Sequence, residues 1–511
     1  MRRISTLLVT CFCIITSISA QNLTKLGVNG VKLRNFGEII QNEEIKGYYY
    51  FYQLEASGKN SLYQLAVLDE NLREINSIEI IKPKWYFLID GAFNEDAFGF
   101  LFYDAKARST ELITFDKTLK ETGSLITKVA DGLSSSIYTS TMRGMDMGYT
   151  LLSAVPHQGF ILYTYPKGYK YQVEFYDNSA KMLWSDKAVE NKVDVQIADE
   201  AFQTEEYIGS LISHKKSLLS NDLDYNLMIH EVKTGKQLFN IPIEDEKFNL
   251  SASNIFYEEA SHTITIFGEF FELDSKEYKS QGLGFFYKIL DMEGHLIRDK
   301  FITWQSDIAK VTKVDSKGRI DGKTRVLFHE VFKTADGEMF AIGEQYKKGV
   351  SAAGIAASAL GGGIAVMQLE IYDMVIFHFG ADLSIKEVNF FDKDKSIMTL
   401  PQGYSYISAK KLSYLAKIMG AFDYKFSQIS KEKNSFVATY IDYDKEKGEK
   451  AKNVFGAIVY TPEKTFTTDK IVLNRQSTNY FVRRAKPGYV MVSEYFKKEK
   501  KLDVRLEKIN F

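Results

Sequence analysis

A chain of 511 residues with 65 basic and 66 acidic side chains has a net charge of −1, so it carries no positive excess to neutralise a phosphate backbone and nucleic acid is excluded as a partner. Its two cysteines, Cys11 and Cys13, sit close to the N-terminus, which removes disulfides, thiolate catalysis and Cys-ligated zinc from the body of the chain. Thirty-six Phe and 31 Tyr bring the aromatic content to 14%, a bias toward strands.

The chain opens Met1-Arg2-Arg3, runs apolar through Leu7, Leu8, Val9, Phe12, Ile14 and Ile15, and reaches Ser17-Ile18-Ser19-Ala20 before Gln21. A basic start, a short apolar stretch and a small-residue site predict a cleaved signal peptide over residues 1–20 and a periplasmic or secreted protein. A membrane anchor needs roughly 20 apolar residues, and a lipoprotein anchor at Cys11 has Thr10 where a smaller residue is expected. Cleavage removes Arg2 and Arg3 and leaves 491 residues with 63 basic against 66 acidic groups, a net charge of −3. A chain that long builds its core without crosslinks.

From residue 44 onward one unit recurs: alternating strands joined by a tight turn that starts with Asp. Turn copies are Leu68-Asp69-Glu70-Asn71-Leu72, Phe115-Asp116-Lys117-Thr118-Leu119, Tyr176-Asp177-Asn178-Ser179-Ala180 and Leu290-Asp291-Met292-Glu293-Gly294, with looser copies at Val232 to Gly235 and Phe379 to Leu383. Asp bonds the backbone two residues on, and Gly near the turn's end accepts positive φ. A second motif reads apolar, small, Glu, any residue, aromatic: Phe267-Gly268-Glu269-Phe270-Phe271, Ile342-Gly343-Glu344-Gln345-Tyr346 and Val492-Ser493-Glu494-Tyr495-Phe496. Period-two alternation before each marks a strand.

Eight units are expected near 44–82, 86–126, 148–188, 198–244, 250–303, 325–395, 432–473 and 477–511, with successive turns from Asp69 to Asp291 spaced 47, 61, 56 and 58 residues apart. Four-stranded propeller blades repeat at roughly 40–50 residues plus loop insertions. The expected fold is therefore all-β: residues 21–511 form a single β-propeller domain of seven or eight four-stranded blades. An N-terminal strand within Val28 to Ile40 is expected to complete the last blade. Tandem β-sandwiches of about 100 residues are the alternative, but no Pro-, Gly- or Ser-rich linker separates the units and the chain has only seven prolines.

Within the third unit, Tyr163, Tyr165, Tyr169 and Tyr171 flank the turn Pro166-Lys167-Gly168, and period two puts them pairwise on common faces. Their rings are candidate ligand-binding residues for a sugar or peptide, with packing across strands as the alternative. Gly349 to Met367 is nineteen residues without a charge, holding six Ala and five Gly. It is expected as an insertion in a hairpin: a cover over an apolar face, a partner-binding flap or, least in keeping with its Gly361-Gly362-Gly363, a membrane contact. Ser408 to Gly420 predicts a short helix, capped by Ser408, with Leu412, Leu415, Ala416 and Met419 on one face and Lys410, Lys411 and Lys417 facing water.

No catalytic or metal motif emerges. The seven histidines lack ligand spacing, and G-x-S-x-G and G-x-x-x-x-G-K-[ST] are absent. Asp442-Tyr443-Asp444 opens like a calcium loop, but Lys447 stands where Gly is required and Asn453 where Glu is. Asp90 is a strand-end carboxylate of the kind a propeller enzyme uses, with Glu95 and Asp96 as turn residues. Recurrence assigns Glu269, Glu344 and Glu494 to the architecture of the blade, because function on a repeat fold sits in unique sites. No metal and no cofactor are expected.

With its export signal, Gly/Ser-Glu-x-aromatic strands and Asp-x-x-Gly turns, the chain resembles the uncharacterised secreted proteins of about five hundred residues found in Bacteroidetes, over nearly its whole length. The resemblance implies export and a propeller-like fold, and brings no catalytic residues. The functional expectation is a binding or scaffold protein presenting a propeller face to a glycan, peptide or envelope partner, with a carbohydrate-active propeller enzyme, hydrolase or lyase, as the alternative.

Overall fold

A computed structural model of the chain describes residues 22–30, 36–41, 44–129, 132–142, 150–188, 195–217, 220, 223–273, 275, 282–350, 367–400, 407–430, 433–444, 452–473 and 479–509. Residues 1–20 lie outside this set, as does most of the small-residue insertion, from 351 to 366. Among the described residues the chain is a ring of eight four-stranded antiparallel blades.

Blade 1 comprises Phe36–Gln41, Glu44–Ser57, Asn60–Asp69 and Glu74–Pro83, and blade 2 Tyr86–Phe93, Ala97–Asp104, Ser109–Asp116 and Glu121–Lys128. Blade 3 runs from Leu152–Val155 to Met182–Lys187, blade 4 from Val195–Gln203 to Gln237–Pro242, and blade 5 from Phe248–Glu258 to Leu296–Thr303. Blade 6 is built on Arg325–Lys333, Met339–Val350 and Met367–Phe379, with its outer strand split into Ile385–Phe391 and Ser396–Thr399. Blade 7 holds Tyr424–Ser430, Ser435–Asp444, Lys452–Tyr460 and Phe466–Val472. Blade 8 holds Asn479–Arg484, Tyr489–Phe496 and Lys501–Lys508, and Asn22–Leu26 supplies its fourth strand.

The first strand of each blade packs against the first strands of its neighbours, so these strands form the inner wall. The ring closes where Phe36 meets Phe481 at 5.4 Å between ring centroids and the Tyr50 and Ser493 hydroxyls lie 3.0 Å apart. Closure by an N-terminal strand is as expected, but its position is corrected. Asn22–Leu26 pairs with Lys501–Lys508, whereas Phe36–Gln41, within the expected Val28–Ile40 stretch, is the inner strand of blade 1. Likewise the units expected at 44–82 and 432–473 each omit an inner strand, because those strands are short and only half-buried and their alternation is weak.

The Asp turns join the third and fourth strands. Asp69 Oδ1 accepts the Asn71 and Arg73 amides, both at 2.8 Å, and Asp116, Asp177 and Asp291 repeat this. The left-handed position of three copies is filled by Leu72 (φ 63°), Leu119 (φ 60°) and Ala180 (φ 56°) rather than glycine. All three are buried between blades, and burial of an apolar side chain offsets the backbone cost of about 1–2 kcal/mol.

An antiparallel order makes the two faces of the ring unequal. Links between strands 1 and 2 and between strands 3 and 4 are two to five residues long and lie on one face, the turn face. The strand ends joined by the links between strands 2 and 3 and from blade to blade lie on the other, the loop face, and every link longer than five residues starts and ends there. Helix α1 (Leu133–Met142) and helix α2 (Ala409–Ile418) both belong to that face. As expected, Ser408 caps α2 by accepting the Lys411 amide at 3.2 Å. The buried face is Leu412, Ser413 and Ala416, while Met419 is exposed. Lys410 does not face water: it crosses to Glu269 at 2.7 Å and covers the Phe271 ring. Among the described residues no helix is long and apolar enough to cross a membrane.

Candidate functional site

Three of the four candidate tyrosines are interior residues. Tyr163, Tyr165 and Tyr171 are 0%, 2% and 5% exposed, and their hydroxyls meet Ser210 at 3.0 Å, the Ala198 carbonyl at 3.0 Å and Met228 Sδ at 3.5 Å. They fill the seam between blades 3 and 4, so their faces are covered by the chain itself. Tyr169 is half-buried at the hairpin end. Alternation shows which rings share a face but not whether the neighbouring blade covers it.

Asp90 sits inside its strand, at a bulge, and Oδ2 accepts the Leu151 and Leu152 amides of blade 3 at 3.3 and 3.2 Å. That is a staple between blades. The three recurrent glutamates divide. Glu494 pairs with Arg505 of the next strand, and Glu269 pairs with Lys410. Glu344 lies at the centre of a buried ionic cluster that only the ring brings together.

Local structure explains the cluster. The inner strand of blade 6 bulges at His329, between Phe328 and Glu330, and the inner strand of blade 7 bulges at Lys425, between Tyr424 and Phe426. Bulges re-aim side chains and recur beside functional sites. The break in the outer strand of blade 6, at Asp392 to Lys395, folds Lys393 inward. Glu344, 0% exposed, then accepts the Asp423 and Tyr424 amides at 3.0 Å each. Lys393 Nζ lies 2.7 Å from Asp423 and 3.4 Å from Glu344, and Ser396 donates to Asp423 at 2.6 Å. His329 Nε2 stands 3.0 Å from Glu344, off the line a hydrogen bond needs, with its ring stacked on Tyr424 at 4.9 Å.

Burial sets the protonation of this cluster, and neighbouring charges modify it. Burial pushes the Glu344 carboxyl up, but His329, Lys393 and the amide donors outweigh it, so its pKa lies below the ordinary value. Asp423 goes the other way, because burial outweighs Lys393. Burial lowers the pKa of His329 against the pull of Glu344, and at Lys425, whose side chain reaches solvent through the groove above, the protein crowded around the ammonium lowers it against Asp423 and Glu344. Toward the ring axis, Tyr424 donates to Glu330, and Arg484 of blade 8 faces Glu38 of blade 1 at 4.0 Å.

Above the cluster, on the loop face, a groove of about 590 Å³ runs between blades 6 and 7, with Asp423, Lys425, Tyr443 and Tyr480 among its lining residues. Three further cavities, of about 140, 710 and 350 Å³, open on the same face over blades 5 and 6. The turn face offers Asp291, Glu293 and His295, with ligand atoms within 4.8 Å of one another. Asp291 Oδ1 there already holds the Glu293 and His295 amides, and the group is a blade turn on the surface. The calcium-like Asp442 is likewise structural, accepting the Asp394 amide at 2.9 Å and Lys470 Nζ at 3.1 Å.

A family model matches residues 1–510. The chain belongs to the Family of unknown function (DUF6770). No curated protein matches it. Among solved structures, prolyl oligopeptidase B from Galerina marginata overlays with a TM-score of 0.40 at 9% identity, over 91% of this chain and 56% of that one. The chain thus spans just over half the length of that enzyme. A post-proline cleaving enzyme from Rickettsia typhi gives 0.37 at 9% identity, over 90% and 58%. The polysaccharide lyase Uly1 gives 0.36 at 8%, over 94% and 91%. Overlaps and identities of this size say nothing about activity in a DUF6770 chain.

Proposed function

We propose that this protein is an exported binding protein that presents the loop face of its propeller, over blades 5 to 7, to a glycan, peptide or envelope partner. One observation carries the reading: among the described residues, these four cavities, α1, α2 and the strand ends that the long links join share one face. Ligand sites gather where variable loops are held by a rigid scaffold. Export rests on the pattern of residues 1–20. A glycan array and a panel of glycosidase and lyase substrates on the purified protein test the reading. Binding without turnover is expected, and cleavage of any substrate overturns it. N-terminal sequencing of the protein recovered outside the cytoplasm should begin at Gln21.

A propeller enzyme acting on carbohydrate is the second reading, favoured by Asp423. Its carboxyl borders the groove, and burial pushes its pKa up from the ordinary value, the direction in which a general acid is tuned.

A further inference from the structure

Among the described residues, the groove between blades 6 and 7 is lined by more side-chain donors without a partner than free side-chain acceptors. Lys425 is exposed to it, and among the described residues no hydrogen bond or ion pair engages its ammonium. The phenols of Tyr443 and Tyr480 also line the groove without a hydrogen-bond partner among the described residues; burial first, then the neighbouring Tyr443 and Asp423, pushes the Tyr480 phenol up. Asp423, the one carboxylate among the described lining residues, is held by Lys393 and Ser396. Lys395 stands at the rim beside Ile397 and Met398, its charge shared with Glu370 at 3.6 Å.

We propose that this groove is a subsite for an acidic sugar, a hexuronate residue of an oligosaccharide, with Lys425 facing the sugar carboxylate and Tyr443 and Tyr480 donating to its oxygens. The proposal deepens the binding-protein reading and rests on it. Three donors without acceptors call for a ligand that brings acceptors. A carboxylate is a strong partner for an ammonium, and ring hydroxyls accept from phenols while a pyranose face lies on tyrosine and aliphatic carbon. An acidic peptide of equal charge offers the ammonium the same carboxylates but no pyranose face to lie on the tyrosine rings and aliphatic carbon. A volume of about 590 Å³ falls among the roughly 300–1,000 Å³ of small-molecule sites.

Isothermal titration of the full chain with tetragalacturonate, carboxyl-reduced tetragalacturonate and tetraglutamate tests the assignment. The expected result is binding of tetragalacturonate alone, weakened about tenfold or more in Lys425→Gln, since a hydrogen bond to a charged group contributes about 1.5–3 kcal/mol. If Lys425→Gln melts early, Lys425→Arg and the Tyr443→Phe/Tyr480→Phe pair replace it: the first should keep binding and the second should lose it. Equal affinity for the carboxyl-reduced sugar, or binding indifferent to all these changes, overturns the subsite. So does tetraglutamate binding that needs Lys425 while the uronate does not bind. A neutral glycan bound elsewhere sinks the uronate subsite and leaves the binding-protein reading standing, whereas turnover sinks that reading.

Discussion

Two seams of the same ring are built from different chemistry. Between blades 1 and 2 the contact is mainly aromatic: Tyr49 meets Phe100 edge-on at 5.1 Å and Phe51 meets Phe102 at 5.3 Å. Between blades 6 and 7 the half toward the turn face is also aromatic, with Phe340 against Phe436 at 4.7 Å and Tyr460 at 4.8 Å. The half toward the loop face is ionic, around Glu344, Lys393 and Asp423. Apolar packing therefore carries most of the first seam, with Lys82 and Glu111 paired across it at 2.8 Å, and a buried ion cluster, whose desolvation offsets most of its Coulomb gain, adds little net stability. Its location under the groove ties it to the loop face, where it holds Asp423 and the start of the blade 7 inner strand in place.

The largest contrast should come from Glu344→Ala. It strips the Asp423 and Tyr424 amides of their acceptor and removes one of the two carboxylates beside the buried Lys393, at a cost of roughly 3–5 kcal/mol, read as a shift in the denaturant midpoint. Phe100→Ala in the aromatic seam leaves a cavity and should cost about 3 kcal/mol with no change in pH dependence. If it moves the pH profile of stability, the two seams are not independent.

A smaller effect separates one substitution made in both seams. Tyr424→Phe removes a donor to the Glu330 carboxylate and should cost about 1.5–3 kcal/mol, whereas Tyr49→Phe removes a neutral bond to the Gly91 carbonyl at 3.2 Å and should cost about 1 kcal/mol. Thermal melts of the two variants in parallel check the ranking; the reverse order would show that Glu330 is satisfied without the phenol.

The least effect is on pH. His329 has a folded pKa below its ordinary 6.5, so the unfolded chain takes up the proton first and stability falls as pH drops below 6.5. Asp423, whose folded pKa is raised, acts in the opposite sense and adds stability as pH falls through its raised value. Melting temperatures of the wild type and His329→Gln from pH 7.5 to 5.5 should show a flatter slope for the variant. Parallel slopes would mean His329 keeps its ordinary affinity for protons.

Much of the architecture was legible in the residues. Alternation marked the strands, Asp69, Asp116, Asp177 and Asp291 marked the turns, and Ser408 marked a helix start. The charged seam was not legible. Glu344 shares its local pattern with Glu269 and Glu494, so recurrence hid the one copy that reaches two neighbouring amides and a lysine. The tyrosines misled for the converse reason, since a ring that could grip a ligand has the same local sequence as one that fills a seam.

Order along the chain determined the blades and the turn chemistry, because pleat period and Asx turns are local properties. Which side of each strand is covered, and the meeting of His329, Glu344, Lys393 and Asp423 across 94 residues, was decided only by the folded ring. Blade stacking sets that neighbourhood, and a one-residue bulge sends a side chain from one seam toward the axis, a choice made by packing and carried by no single stretch of sequence.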